Sequence, residues 1–327
     1  MMKNNKIAFS TGSLMNSKQI VNFSSRIDIN NNVHSIWTPE SWGKEAFSLL
    51  GAISQATRRI KIGTSIINIY TRSPATISMG AITLDQLSDQ RVIIGLGTST
   101  PPLIEKLHGM KFVSPLLRMR EYVQSIKLLL TSGKSTYRGD IVKISDFELL
   151  EHSRENIPIF VAAVNAKMLS LSKEIADGFI LYLKPKKELE SIIRETDQST
   201  STRPFTKAMV IITSVSNKDP SKAVKRAAKT FVFYISVGKV YYNYLLGTKH
   251  RDTIRRIYTD YHKYGIEEAI KNVTPTILNE FVIAGSINEC SEQIKEFMKT
   301  GIDLPILQVN PTTDTNGDLS YKDFFEL

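Results

Sequence analysis

Short, continuous apolar runs alternate with amphipathic segments along this chain. The runs are rich in β-branched residues, which is typical of strands buried on both faces, and the segments between them carry apolar residues at helical spacing. Eight such runs predict strands at 6–11, 33–38, 60–69, 92–97, 157–164, 178–183, 207–215 and 304–309. Eight strands that alternate with helices indicate the α/β class and, within it, a (β/α)8 TIM barrel of parallel strands.

The segment from Ile60 to Ser99 shows this pattern most clearly, with a strand, a helix and a second strand. Ser73 and Pro74 predict the start of the helix, because serine caps helices and proline suits their first position. The carboxyl ends of parallel strands are where α/β folds carry their active sites. We therefore expect the chemistry near 65–72 and 97–100.

Two segments depart from the alternation of strands and helices. Residues 135–150 alternate like a β-hairpin, and residues of about 219–290 form a predicted helical insertion between strands seven and eight. Seven of the twelve tyrosines lie in this insertion, where they either pack in the core and at interfaces or form a lid. We expect a single domain over residues 1–327.

Composition and charge narrow the classes of function. The net charge is +10, which suits either a lysine-rich solvated surface or an anionic cofactor. Basic residues form no block, so we expect no nucleic-acid partner. A single cysteine, Cys290, and the absence of metal-ligand spacing lead us to expect no metal site. Without a long apolar run or a secretory signal, the expectation is a cytoplasmic protein with no membrane partner.

Between Trp37 and Gly109 the sequence resembles the bacterial-luciferase-like oxidoreductases. The segments that carry the resemblance are WTPESWGKEAF, TRRIKIGTSIINIYTRSPA, LDQLSDQRVIIGLGTS and EKLHG, and further matches follow up to Leu181. Within the family, the chain is most similar to the branch that uses the deazaflavin coenzyme F420, which includes methylenetetrahydromethanopterin reductase. The resemblance implies a barrel with the cofactor ring across its C-terminal mouth.

In this family a bulge at the end of strand three, often with a non-proline cis peptide, backs the cofactor ring. The resemblance places this bulge at Ser65 and Ile66, so that a β-branched side chain lies behind the ring. It implies further cofactor contacts from residues at the ends of strands two, three and four, namely Thr38, Asn68, Gly97, Thr98 and Ser99. Gly95-Leu96-Gly97 lacks the third glycine of a dinucleotide-binding loop, and close backbone approach is the better reading.

The turn after strand five holds the cofactor phosphate in the family. Here it consists of Ala163, Val164, Asn165 and Ala166, which differs from the usual glycine- or proline-containing turn. Backbone N–H groups at a helix N-terminus bind anions, so the position suits a phosphate. The alternative is an ordinary helix start that Asn165 caps.

Glu40 and His108 are the candidate catalytic residues. Glu40 follows strand two where F420-dependent sugar dehydrogenases have Asp-His, and Thr100 replaces an acid of those enzymes, which argues against sugar-phosphate oxidation. A buried glutamate can act in acid–base catalysis, and so can a histidine in the loop after strand four. The alternatives are an exposed loop glutamate and a structural histidine.

The resemblance thus implies an oxidoreductase that transfers a hydride between F420 and a small organic substrate. The alternatives are an FMN-dependent luciferase-like monooxygenase and a non-catalytic relative that binds the cofactor without turnover. Dimers are frequent in the family, so we expect a homodimer.

Overall fold

The computed structural model describes residues 6–131, 133–154, 156–200 and 203–327. Its strands are β1 (Ile7–Thr11), β2 (Val33–Thr38), β3 (Lys61–Thr64), β4 (Ile67–Asn68), β5 (Val92–Gly97), β6 (Ser135–Arg138), β7 (Lys143–Phe147), β8 (Ile159–Ala162), β9 (Gly178–Tyr182), β10 (Thr206–Val215), β11 (Val282–Gly285), β12 (Leu304–Val309), β13 (Thr312–Thr313) and β14 (Leu319–Ser320).

The helices alternate with the long parallel strands. They are α1 (Ser17–Ile27), α2 (Ala46–Ala56), α3 (Pro74–Leu87), α4 (Pro115–Leu130), α5 (Ala166–Ile175), α6 (Lys186–Thr200), α7 (Pro220–Val237), α8 (Lys239–Leu245), α9 (Arg251–Tyr264), α10 (Ile266–Ala269), α11 (Pro275–Phe281) and α12 (Ile287–Lys299). A π-helix spans Leu103–Leu107, and two 3-10 helices span Ile270–Asn272 and Lys322–Glu326. The fold is the (β/α)8 barrel that the alternation predicts.

The chain divides into two compact units, one of Met1–Ile180 with Thr202–Thr206 and one of Leu181–Ser201 with Lys207–Leu327. In the first unit β1, β2, β3, β5 and β8 pair in parallel in that order. Trp37 of β2 lies directly over Gly63 of β3 and stacks on Phe160 of β8, with ring centroids 5.8 Å apart. The rings of Trp37 and Phe160 thus fill the space over Gly63 on one face of this sheet.

Strand three is interrupted, whereas the sequence predicts a continuous strand over 60–69. Gly63 pairs with Ile93, and pairing resumes only at Ile67, which is opposite Leu96. Four steps along β3–β4 therefore match three steps along β5, so this strand carries one extra residue. A single extra residue is a β-bulge, which the family resemblance placed at this position.

The predicted hairpin is present, as the antiparallel pair β6 and β7. It is tied to the first unit by Glu121 of α4, whose side chain is 4% exposed. Its carboxylate accepts the backbone N–H groups of Asp140, Ile141 and Val142 at 2.7–2.9 Å. These bonds lower the pKa of Glu121, although burial alone would raise it.

In the second unit β10 pairs in parallel with both β11 and β12. Helices α7, α9 and α11 pack around a core that includes Phe231, Ile254 and Phe281, and tyrosines such as Tyr234 and Tyr242 lie against it. The tyrosines of this region therefore belong largely to the core.

The predicted helical insertion over about 219–290 contains a strand near its C-terminal end. The apolar segment Val282–Gly285 forms β11 directly after α11. Helix α12 then begins at Ile287, where Ser286 and Glu289 form a capping box. A serine followed three residues later by glutamate is the sequence signal that was overlooked.

None of the helices in the described part of the chain combines the length and apolar character needed to span a membrane. The same residues contain no group of three histidine, cysteine or acidic side chains that could hold a metal ion.

Candidate cofactor site

The bulge of strand three brings together three hydroxyl-bearing residues from neighbouring strands. The peptide bond between Ser65 and Ile66 is cis. The Ser65 N–H donates to the carbonyl oxygen of Thr38 (2.9 Å), and the Ser65 and Ser10 hydroxyl oxygens are 3.3 Å apart. Ser65 is thus held by both β1 and β2, and this fixes the position of the residue that follows it.

Ile66 lies directly against Gly97 at the end of β5. A Cβ atom on Gly97 would come within 2.5 Å of the Ile66 Cγ1 and Cδ1 atoms, so this position has room for glycine only. Gly95 is more tightly constrained, because its Cβ would lie 1.9 Å from the backbone carbonyl oxygen of Thr64. The predicted close backbone approach at Gly95 and Gly97 is present.

Asn68 and Ser99 flank this contact. Asn68 is buried, and its Oδ1 accepts the N–H of Tyr70 at 2.8 Å, which leaves the amide nitrogen for a ligand. Ser99 has a φ of +57°, in the left-handed region that non-glycine residues rarely adopt. Such residues cluster at functional sites, because the surrounding structure must hold them there.

The hydroxyl groups of Thr98 and Thr38 differ in whether the protein supplies a hydrogen-bond partner. The Thr98 hydroxyl donates to the Ser99 carbonyl oxygen at 3.4 Å. Thr38 is fully buried, and its hydroxyl has no hydrogen-bond partner among the described residues. A buried hydroxyl without a hydrogen-bond partner destabilises the fold, so the Thr38 hydroxyl is a candidate for a hydrogen bond to a ligand.

The turn from Ala163 to Ala166 leads from β8 into α5. Ala163 is buried and donates its N–H to the carbonyl oxygen of Ile180 (3.1 Å), and Val164 is half-buried. Asn165 caps the helix by accepting the N–H of Met168 at 2.9 Å, as the alternative to a phosphate contact predicted. The N–H groups of Ala166 and Lys167 have no acceptor within the described segments, so the helix start retains two donors for an anion.

Glu40 is bound by the protein on both oxygens. Arg72 donates to Oε1 and, at 2.9 Å, to Oε2, which also accepts the N–H of Ala46 at 3.0 Å. Arg72 also pairs with Glu45, the N-cap of α2. Burial alone would lower the pKa of Arg72, but these two carboxylates raise it. The network joins the loop after β2 to the loop before α3.

His108 ends the π-helix that follows β5, and its side chain is exposed. Its backbone N–H donates to Leu103 (3.3 Å), and no hydrogen bond joins its ring to Glu40 among the residues that the structure describes. The sequence did not identify Arg72 as a site residue. Its place directly before the helix start at Ser73-Pro74 was the available signal.

Comparison with known proteins gives the family. The family model of the luciferase-like monooxygenases matches residues 32–304. The chain belongs to this family. The prediction of a luciferase-like oxidoreductase is thereby confirmed.

Two of the similar proteins are a reductase and an oxidoreductase by name. The chain is 28% identical over 268 residues to 5,10-methylenetetrahydromethanopterin reductase of Archaeoglobus fulgidus, covering 79% of this chain and 80% of that protein. It is 34% identical over 163 residues to a proposed coenzyme F420-dependent oxidoreductase of Mycobacterium tuberculosis. That match covers 45% of this chain and 46% of the relative, so this chain aligns with about half of the relative's length.

A solved structure agrees with the barrel. The coenzyme F420-dependent tetrahydromethanopterin reductase of Methanopyrus kandleri superposes with a TM-score of 0.81, at 22% identity and 92% coverage of both chains. At this identity the likeness establishes the fold, and the (β/α)8 prediction is confirmed.

The site residues suit a flat ring with an anionic tail. Ile66 and Gly97 offer an apolar contact, Thr38 offers an unmatched hydroxyl, and the start of α5 offers two backbone donors. These are the kinds of groups that would hold the ring and the phosphate of a flavin or deazaflavin.

Proposed function

We propose that this protein is an F420-dependent oxidoreductase that transfers a hydride between the deazaflavin and a small organic substrate. The observation that carries the proposal is the contact of Ile66 with Gly97, at the adjoining ends of strands three and four. It is supported by the coenzyme F420-dependent proteins among the similar ones, the Mycobacterium tuberculosis oxidoreductase and the Methanopyrus kandleri reductase. When bound, the deazaflavin would supply a carbon that gives or accepts the hydride.

The chain's own residues would hold and orient the reactants. Ile66 would support one face of the ring, and Asn68, Thr38, Thr98 and Ser99 would contact its polar edge. The N–H groups at the start of α5 would bind the phosphate. Holding the two reactants in contact supplies much of the catalysis in reactions of this type.

Glu40 enters the proposal in a different role from the predicted one. Both of its oxygens already accept hydrogen bonds, so proton transfer to a substrate would require the Arg72 pair to open. We infer that Glu40 positions the loop after β2, and that His108 remains the candidate for moving a proton. Glu40→Gln is expected to keep the pH dependence of turnover, whereas His108→Gln is expected to change it.

A binding assay with F420 and FMN tests the cofactor. Tight binding of F420 and weak binding of FMN would support the proposal. Tight FMN binding without F420 binding would contradict it and favour the luciferase-like monooxygenase. Tight F420 binding with no hydride exchange for any alcohol, aldehyde or imine substrate would favour a non-catalytic relative.

We also propose a cytoplasmic homodimer without nucleic-acid or membrane partners. Helix α3 exposes Met79 and Leu87 by about half, beside the small residues Gly51 and Gly80. An exposed apolar strip of this kind is typical of a contact between protein chains. Light scattering of the purified protein measures its oligomeric state, and a monomeric mass at micromolar concentration would contradict the dimer.

A further inference from the structure

Arg118 lies against an aromatic frame formed by Tyr70, Tyr122 and Phe112, next to the candidate cofactor site. Its guanidinium carbon is 4.6 Å from the ring centroid of Tyr70 and 5.8 Å from that of Tyr122. Phe112 stacks on Tyr70, with centroids 5.1 Å apart and an angle of 23° between the rings. The Tyr70 ring therefore contacts both Phe112 and the guanidinium.

Both tyrosines are locked in place by their hydroxyl groups. Tyr70 donates to the carbonyl oxygen of Val113 (2.8 Å), and Tyr122 donates to that of Arg72 (3.0 Å). Burial raises the pKa of Tyr70 and Tyr122, although the charge of Arg118 acts in the opposite direction. The two rings stay neutral near pH 7, so they hold the guanidinium without cancelling its charge.

Arg118 has no acidic partner in the described segments of the chain. Its Nε atom is buried and makes no hydrogen bond. The nearby acid that its charge affects is Glu121, whose oxygens are already taken by three backbone N–H groups. By contrast, Arg154 of the same unit binds Asp85, and Arg91 binds backbone carbonyl groups.

The loop that precedes α4 carries more positive than negative charge. The loop 99–114 contains one acid, Glu105, and two lysines, Lys106 and Lys111. A guanidinium stacked on a ring keeps its N–H donors in its own plane, where they match the two oxygens of a carboxylate or phosphate. A half-buried guanidinium with one unused donor, Nε, is therefore available to such a group.

Tyr70 connects this frame to the candidate cofactor site. Its N–H is bound by Asn68, which is a predicted cofactor contact. The predicted phosphate position at the start of α5 lies on a different strand end, after β8. We propose that Arg118 binds a carboxylate or phosphate group of the substrate and so selects small organic anions. This inference rests on the proposed function, because it assigns the substrate class of the same site.

Equilibrium binding of simple probes tests the inference. Benzoate and inorganic phosphate are titrated into the wild type, Arg118→Gln and Arg118→Lys, with neutral benzamide as the reference probe. We expect Arg118→Gln to bind both anions roughly tenfold more weakly or worse, since hydrogen bonds to charged groups have this strength. Arg118→Lys should lie between, because it keeps the charge and loses the planar fork.

Arg120→Gln is the matched control, since Arg120 is on the same helix and is paired with Glu174. It should bind both anions like the wild type, and benzamide binding should not change in any variant. Equal anion affinity for Arg118→Gln and the wild type, or no anion binding by the wild type, would overturn the inference.

F420 titrations on the same variants separate this inference from the proposed function. Unchanged F420 affinity in Arg118→Gln supports a substrate role, whereas a parallel loss of F420 affinity would overturn it, because Arg118 would then hold the cofactor. Absence of F420 binding by the wild type would overturn the proposed function. The anion comparison would then still report whether Arg118 binds oxyanions.

Discussion

Glu40 and Arg72 join two loops of the first unit through a pair of parallel hydrogen bonds. Their side chains are 14% and 17% exposed, and the same carboxylate accepts the N–H of Ala46 at the start of α2. Breaking a partly buried pair with this geometry costs more than breaking a surface pair, because the charge left behind has lost much of its water and its partner as well. The residue that the sequence suggests as an acid catalyst thus serves as a connection between loops.

Replacing Glu40 with glutamine should therefore reduce stability. We expect Glu40→Gln to lower the free energy of unfolding by about 1–3 kcal/mol, because Arg72 would remain half-buried with only the more exposed Glu45 as a charged acceptor. Urea denaturation measures the change. Glu174→Gln is the control, since it breaks a similar pair whose side chains are 35% and 59% exposed. It should cost under about 1 kcal/mol. Equal losses in the two variants would contradict a structural role for the Glu40 pair.

The contact of Ile66 with Gly97 predicts a coupled pair of substitutions. Gly97→Ala alone should destabilise the protein by about 1–3 kcal/mol, because the new methyl group meets the Ile66 side chain. Adding Ile66→Ala should recover much of this loss, since it removes the atoms that clash. A double-mutant cycle by thermal or urea unfolding measures the coupling. Additive effects of the two substitutions would show that the side chains do not meet.

Gly95→Ala should be more damaging than Gly97→Ala. The obstacle at Gly95 is the backbone carbonyl oxygen of Thr64, and a backbone atom cannot turn away as a side chain can. We expect little soluble, folded protein from this variant, judged by circular dichroism and size-exclusion chromatography. A folded Gly95→Ala protein with wild-type stability would contradict the described approach of the two strands.

The barrel could be predicted from the sequence because its strands are apolar runs with clear limits. The start of α3 followed from Ser73 and Pro74, and the structure has both as predicted. The bulge at Ser65 came from the family resemblance, since periodicity alone favours a continuous strand there. Strand β11 was missed because four apolar residues directly after a helix look like its continuation.

The partners of the site residues were beyond the reach of the sequence. The Glu40–Arg72 pair joins residues 32 positions apart, and neither side chain carries a local signal for the other. The frame of Arg118 likewise depends on Tyr70, 48 positions earlier by the numbering. Contacts of this kind follow from tertiary packing, which spacing along the chain does not encode.

Lys184 should make stability depend on pH in the alkaline range. The side chain is 4% exposed, and its Nζ lies 3.4 Å from the ring centroid of Tyr244 and 3.6 Å from Glu188. Burial lowers the pKa of Lys184 from 10.5 to about 8, against the opposing effect of Glu188. Below pH 8 the folded protein carries the full cost of a buried charge.

As the pH rises from about 8 towards 10.5, the folded state releases this proton while the unfolded state still holds it. The wild type should therefore gain stability relative to Lys184→Met, on the order of 1–3 kcal/mol between pH 7.5 and 9.5. Urea denaturation of both proteins at the two pH values measures the change. A constant difference between them would show that Lys184 titrates normally in the folded protein.

His34 should make stability depend on pH in the acidic range. Burial, followed by the charges of Lys61, Lys6 and Arg59, lowers the pKa of His34 from 6.5 to about 4. A lowered pKa means that the unfolded state takes up the proton first as the pH falls through this range. The stability contribution of His34 is therefore intact above pH 6.5 and is lost between 6.5 and about 4.

NMR titration of the histidine rings measures this directly. The ring signal assigned by comparison with His34→Asn should stay unchanged from pH 8 to about 5.5. In urea denaturation, the wild type should lose more stability than His34→Asn on going from pH 7 to pH 4.5, by on the order of 2 kcal/mol. A midpoint near 6.5 for the His34 ring would contradict the described burial.

The hairpin of β6 and β7 sets the rotation of helix α4. Glu121 binds three successive backbone N–H groups of the hairpin turn, and Arg118 is one helical turn earlier on α4. Rotating α4 about its axis would break the Glu121 bonds and turn the guanidinium out of its aromatic frame at once. The hairpin contains no residue of the site, yet it helps to hold the Arg118 side chain in its proposed anion-binding position. A change in the length of the hairpin turn would therefore alter ligand selection from outside the site.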